Sequence, residues 1–227
     1  MIWYVSDLHI GHKKVIEYCD RPYNSVGEMD EAIIKQWNSQ VNPGDIVYFL
    51  GDFGINKNKI LESNIVNKLN GKKHAIIGNH DYGFIRLHEG KNTESIINKY
   101  LKAGWESVQV KLERNLENGM TFIMSHLPPS NEFDGRYSKY KIKNDLNVFH
   151  INGHLHGHYY KKNNMIDVAF DAELRLRSED EIIETIHSKE TFIPTRLTEK
   201  YKENNYNKED TYERIVEICE RLSKLSS

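Results

Sequence analysis

Apolar residues in this chain come in short runs that stop abruptly at Asp, Asn or His. Ile2-Trp3-Tyr4-Val5 leads into Ser6-Asp7-Leu8-His9, Ile46 to Leu50 into Gly51-Asp52, and Ala75-Ile76-Ile77 into Gly78-Asn79-His80-Asp81. Met120 to Met124 ends at Ser125-His126, and Val148 to Asn152 at Gly153-His154-Leu155-His156. Short β-branched and aromatic runs bounded by turn formers predict buried strands. Ser107 to Leu112 alternates like a half-buried strand, and Met165 to Phe170 reads as a last one. Helical spacing covers Glu28 to Gln40, with Met29, Ile33 and Trp37 on one face, and recurs over Ile60–Leu69, Glu94–Ala103 and Glu179–His187. Strands alternating with helices predict an α/β fold with right-handed crossovers. The strand ends then share one edge, where open α/β sheets bind ligands.

The pattern changes after residue 190, which predicts a domain over 1–190 and an appendage over 191–227. Lys200 to Glu209 is polar and linker-like, and Tyr212, Ile215, Ile218 and Leu222 then recur at helical spacing. That amphipathic C-terminal helix is expected to dock on the body, or else to pair two copies as a homodimer. Ser130 to Asn147 is polar and reads as a surface loop over the strand ends.

Composition narrows the class. The 227 residues are 38% hydrophobic and 28% charged, with a net charge of -2, which suits a globular protein and argues against a broad nucleic-acid surface. Cys19 and Cys219 are far apart and lack metal spacing. With no basic leader and no bilayer-length apolar run, they are expected to be reduced thiols of a cytoplasmic protein that does not engage a membrane.

The strand-end donors are Asp7, His9, Asp52, Asn79, His126, His154 and His156. Asp7 and His9, like His154 and His156, lie two apart, so extended backbone would point both the same way. Oxygen and nitrogen donors without thiolate suit Mn²⁺, Fe, Zn²⁺, Ni²⁺ or Co²⁺. Seven are too many for one tetrahedral zinc. They suit two divalent ions roughly 3.5–4 Å apart, a pair that generates hydroxide near neutral pH and clamps a phosphoryl oxygen.

Asp-X-His, Gly-Asp, Gly-Asn-His-Asp, a lone His and Gly-His-X-His, in this order, resemble the calcineurin-like metallophosphoesterases over roughly Met1 to Phe170. The resemblance implies a sandwich of two mixed β-sheets flanked by helices. It implies that Asp7, His9 and His156 bind one ion, that Asn79, His126 and His154 bind another, and that Asp52 bridges them. It makes His80 the general acid and Asp81 the residue that orients it. The residues agree: a carboxylate offers two acceptor oxygens for bridging, Asn79 limits negative charge, and His80 can carry a proton near pH 7. His12, Arg21 and His158 are candidate substrate-phosphate contacts, Arg21 through a bidentate guanidinium. The expected function is hydrolysis of a small phosphodiester or phosphomonoester, with Mn²⁺ the expected ion. The alternative is a nuclease on DNA or RNA, for which Lys139-Tyr140-Lys141 and Lys161-Lys162 are the basic candidates. A metal-free binding scaffold of the same fold is a further reading.

Overall fold

The computed structural model describes residues 1–55, 57–130, 137–157 and 161–188. His158, Cys219 and the whole 191–227 segment, with its linker and amphipathic helix, lie outside the described residues, as do residues 131–136 of the polar loop.

β1 (Ile2–Val5), β2 (Ile46–Phe49), β3 (Lys72–Ile76) and β4 (Ser107–Gln109) form a parallel array. A second sheet holds β5 (Lys111–Asn115), β6 (Thr121–Ser125), β7 (Phe149–Asn152), β8 (Lys161–Lys162) and β9 (Met165–Asp167) in the order β5-β6-β7-β9-β8. Here β6, β7 and β9 run parallel, while β5 and β8 are antiparallel edges. β10 (Arg177–Ser178) pairs antiparallel with β1, completing the first sheet as β10-β1-β2-β3-β4. Both sheets are therefore mixed.

The helices are α1 (Lys13–Tyr18), α2 (Val26–Gln40), α3 (Lys57–Glu62), α4 (Phe84–His88), α5 (Thr93–Ala103) and α6 (Glu179–His187). Strand alternation sets the layers. Trp3 and Val5 of β1, with Val47 and Phe49 of β2, join Val15, Met29, Ile33, Trp37, Leu61, Phe84 and Ile96 in a cluster between the first sheet and helices α1 to α5. Tyr4 and Ile76 face the other way and meet Phe122, Met124, Ile151 and Ile166 between the sheets, where Ile182 and Ile186 of α6 close the cluster. Strands covered on both faces must be apolar nearly throughout, which explains the unbroken runs in the sequence. Among the described residues no helix is long and apolar enough to cross a membrane.

The structure revises three elements. The alternating stretch 107–112 is two strands, because the chain leaves the first sheet after Gln109 and enters the second at Lys111. The helix expected over 60–69 divides into α3 and a single 3-10 turn at Val66–Lys68; between them Asn64 has φ of 58°, left-handed backbone that a helix cannot contain. α2 starts before Glu28 because Ser25 Oγ accepts the Glu28 N–H at 3.2 Å, capping the helix.

The sheets are joined where their strands end. Ser6, just past β1, bridges in parallel to Ala169, just past β9; Ser6 N–H donates to Val168 O at 3.1 Å and Phe170 N–H to Ser6 O at 2.9 Å. That stitch brings the C-terminal ends of β1, β2, β3, β6 and β7 to one edge. The inter-sheet cluster is the structural load on which the edge depends. Ile151→Ala should destabilise the fold by about 2–5 kcal/mol in urea denaturation, whereas exposed Glu113→Ala on β5 should change it by no more than about 0.5 kcal/mol.

Candidate metal centre

Five of the seven donors found in the sequence leave their strands through a bent backbone. Asp7, His9, Asp52, His154 and His156 have φ of 58°, 52°, 59°, 74° and 50°. Left-handed backbone is uncommon for residues other than glycine, and clusters of it mark functional sites. The extended geometry expected for Asp7-X-His9 and His154-X-His156 is therefore not what aims them; paired left-handed turns are. Gly78 lets two of these turns touch, since a Cβ there would overlap the Asp52 carboxylate and backbone nitrogen. Gly153 serves the same purpose against Ser6 and Asp7.

The turns assemble two triads. In the first, Asp7 Oδ1 lies 3.9 Å from His9 Nε2 and 3.9 Å from His156 Nε2. In the second, Asp52, His126 and His154 converge, and Asn79 Oδ1 approaches His126 Nε2 at 2.9 Å. Asp52 Oδ2, 3.3 Å from His126 Nε2 of its own triad, also lies 3.8 Å from His9 Nε2 of the first. Donors bound to one ion at about 2.0–2.2 Å stand about 3–4 Å apart, so these spacings fit metal ligation.

The hydrogen bonds around the first triad leave its inward atoms Asp7 Oδ1 and His9 Nε2 unused, while in the second His126 Nε2 meets Asn79 Oδ1. Asp7 Oδ2 accepts from Ser6 Oγ at 2.5 Å and from His154 N–H at 2.9 Å, while Asp7 Oδ1 is buried with no partner. Both ring nitrogens of His9 are likewise buried and unpartnered. Asp52 Oδ1 accepts the His80 N–H at 2.8 Å, leaving Oδ2 for the triads. His126 Nδ1 meets Leu50 O at 2.7 Å, which directs Nε2 inward. Buried polar atoms without partners are costly; a divalent cation would satisfy Asp7 Oδ1 and His9 Nε2, the His9 nitrogen that faces Asp7 and Asp52.

Electrostatics follow from burial. Burial holds the His9 and His154 rings well below the usual imidazole range, so both are neutral, as ligands must be. Burial also opposes a charge on His126, yet the Asp52 carboxylate beside it pushes its pKa up to about 9. Burial, and then the charge of Asp52, raise Asp81 to about 7.

The remaining candidates separate. The His80 and His12 rings flank His9 at 5.3 and 5.4 Å between centroids, so both stand beside the first triad. The Asp81 carboxylate accepts the backbone N–H groups of Asp52 and Gly78 at 2.8 Å and of Phe53 at 2.9 Å. What it orients is the pair of loops carrying Asp52 and Asn79, where the sequence reading gave it the His80 ring. Arg21 is a correction. Its side chain has no exposure, and its guanidinium donates to Asp171 at 2.8 and 2.9 Å and to the carbonyls of Asp7 and Leu8 at 2.7 Å each. All its charged edge is spent inside the protein, so it holds the Asp7 turn and cannot reach a substrate phosphate.

Sequence reasoning missed the partner. Asp171 accepts from Arg21 and also meets His156 Nδ1 at 2.7 Å, turning His156 Nε2 toward Asp7. Burial opposes its charge, but Arg21 holds the carboxyl far below the usual range. Cys19 Sγ lies 3.3 Å from the same His156 nitrogen. Asp167, buried at the end of β9, accepts from Gly157 N–H at 2.8 Å and Ala169 N–H at 3.0 Å beneath the His156 turn. Both aspartates follow an apolar run, the signal that exposed Asp52.

No family model matches the chain. An 81-residue stretch, 35% of the chain, is 46% identical to the uncharacterized protein MJ1445 of Methanocaldococcus jannaschii, spanning about half (46%) of that protein's length. The Gene 66 protein of Mycobacterium phage L5 is 29% identical over 198 residues, 82% of this chain and 93% of that protein. Among solved structures, a protein of unknown function, AQ665 from Aquifex aeolicus, superposes with a TM-score of 0.56 at 22% identity, covering 82% of this chain and 99% of that one; this likeness concerns the fold alone.

The Asp171 relay makes a selective prediction. Asp171→Asn should weaken binding of one Mn²⁺ by about 10–100-fold, the usual effect of losing a carboxylate behind a histidine ligand, and leave a second binding event near its original affinity. Calorimetric Mn²⁺ titration reads both events; equal weakening of the two would contradict the relay.

Proposed function

We propose that this protein is a dinuclear-metal-dependent phosphoesterase of the calcineurin-like kind. The observation that supports this reading is the shared Asp52 Oδ2, facing His9 of one triad and His126 of the other. Asp7, His9 and His156 would hold one ion, and Asn79, His126 and His154 the other, with Asp52 common to both; Mn²⁺ suits this nitrogen and oxygen set. When bound, such a pair supplies Lewis acidity toward phosphoryl oxygen and a water acidic enough to ionise near neutral pH.

The chain's own groups supply the rest. Two carboxylates among seven ligands leave two divalent ions undercompensated, so the site attracts a phosphate; Asn79, being neutral, preserves that excess. His80, held through its N–H to Asp52 Oδ1, stands next to the ligand His9 without belonging to either triad. Its ring would give a proton to the departing ester oxygen. His12, whose half-buried ring also lies 5.4 Å from that of His9, would contact a phosphoryl oxygen. A metal-free scaffold reading is disfavoured by the orphaned Asp7 Oδ1 and His9 nitrogens, which a binding surface would not bury.

Hydrolysis of bis(p-nitrophenyl) phosphate should vanish on chelation and return with Mn²⁺. His80→Ala should retain its metal content and lose roughly 10²–10⁴-fold in rate on an ester with a poor, alkoxide leaving group. The loss should be much smaller with p-nitrophenolate, which needs little protonation. Equal losses on both esters would remove His80 from the general-acid role.

A further inference from the structure

The net charge of -2 conceals a segregated surface. Residues 82–103 carry four lysines and arginines and residues 137–143 three more, against two glutamates in all. These segments are one surface. Lys139 Nζ and Tyr140 OH both reach Glu89, at the end of α4, at 3.2 and 3.1 Å, and the Tyr137 and Tyr140 rings pack edge-on against Phe84 at 5.6 and 5.2 Å. Rings are interleaved with the cations. The Arg86 guanidinium and the Lys99 ammonium lie 4.9 and 4.5 Å from the centre of the half-buried Tyr82 ring, and His88 lies 5.0 Å from Tyr140.

This surface adjoins the second triad along two paths. Tyr82 follows the candidate ligand Asn79 by three residues. On the other path, His126 is followed by Ser130, whose N–H donates to Ile142 O at 3.0 Å and so ties the 137–143 segment to that strand end. The other basic pair foreseen in the sequence does not compete, because Lys161 Nζ donates to the carbonyls of Ile186 and Ser188 at 2.6 and 2.5 Å and caps α6.

We infer that the face formed by α4, α5 and residues 137–143 binds a single-stranded nucleic acid and leads its backbone to the metal centre. Cations spaced along a path neutralise successive phosphates. Half-exposed rings among them offer stacking to unpaired bases, which a duplex keeps covered. The cleavage this implies rests on the phosphoesterase reading; the binding does not.

The test uses the full chain in chelator, so that nothing is cut, with a fluorescein-labelled oligothymidylate 20-mer followed by anisotropy between 50 and 200 mM salt. Affinity should fall steeply with salt, with a log–log slope of about -0.7 per phosphate neutralised. Reversing three exposed residues of this face, Lys91→Glu, Lys102→Glu and Lys143→Glu together, should weaken binding at least tenfold and make the slope shallower by about 2. The same charge change at exposed lysines outside this face (Lys35→Glu on α2, Lys72→Glu on β3, Lys111→Glu on β5) should weaken it less than threefold. Tighter binding of a duplex of equal length, or equal losses in the two triple variants, would overturn the inference. Chelator-sensitive hydrolysis of bis(p-nitrophenyl) phosphate, with no oligonucleotide binding, would sink this inference and leave the phosphoesterase reading standing. Oligonucleotide binding with no metal-dependent hydrolysis of any ester would do the reverse.

Discussion

Asp52 Oδ2 is the atom toward which the two halves of the molecule are built. It lies beside His9, at the end of the first sheet's β1, and beside His126, at the end of the second sheet's β6. A buried carboxylate oxygen between two imidazoles is tolerable only where positive charge is supplied. The rest of the edge serves to hold it there. Gly78 clears the space, the Asp81 carboxylate ties the Asp52 and Gly78 backbones together, and the Ser6–Ala169 bridge locks one sheet against the other. The five candidate donors in left-handed backbone represent a local cost of roughly 1–2 kcal/mol each, which the two apolar clusters offset.

Much of this was legible in the sequence because burial and chemistry alternate so sharply along it. A run such as Ile46 to Leu50 must be covered on both faces, and whatever follows it must turn at the edge. Asp7, His9, Asp52, Asn79, His126, His154 and His156 were all found this way, and the structure gathers all seven. Local pattern could not supply long-range pairing. Arg21 sits in a polar Asp-Arg-Pro stretch that reads as exposed, yet Asp171, 150 residues away, draws it into the core. Pattern also could not locate the change of sheet near Val110, since alternation reads the same on either side of it. α1 and α4 are too short, at 6 and 5 residues, to show a helical period. The charge of the whole chain was likewise a poor guide to its surface, because a sum says nothing about segregation.

Arg21, Asp171, Asp81 and Asp167 sit behind the candidate ligands and fix their aim. His12 and His80 stand beside the ligands without joining either triad. On the readings proposed above, the cationic and aromatic face adjoins the second triad, and a substrate extending from the candidate metal centre would meet it without rearrangement of the sheets.

The central claim is that Asp52 is shared by two ions. Crystals grown with Mn²⁺ and measured at a wavelength where manganese scatters anomalously test it directly. The account predicts two anomalous peaks per chain, one among Asp7, His9 and His156 and one among Asn79, His126 and His154, with the Asp52 carboxylate touching both. A single peak, or two peaks with Asp52 bound to neither or to only one, would contradict it.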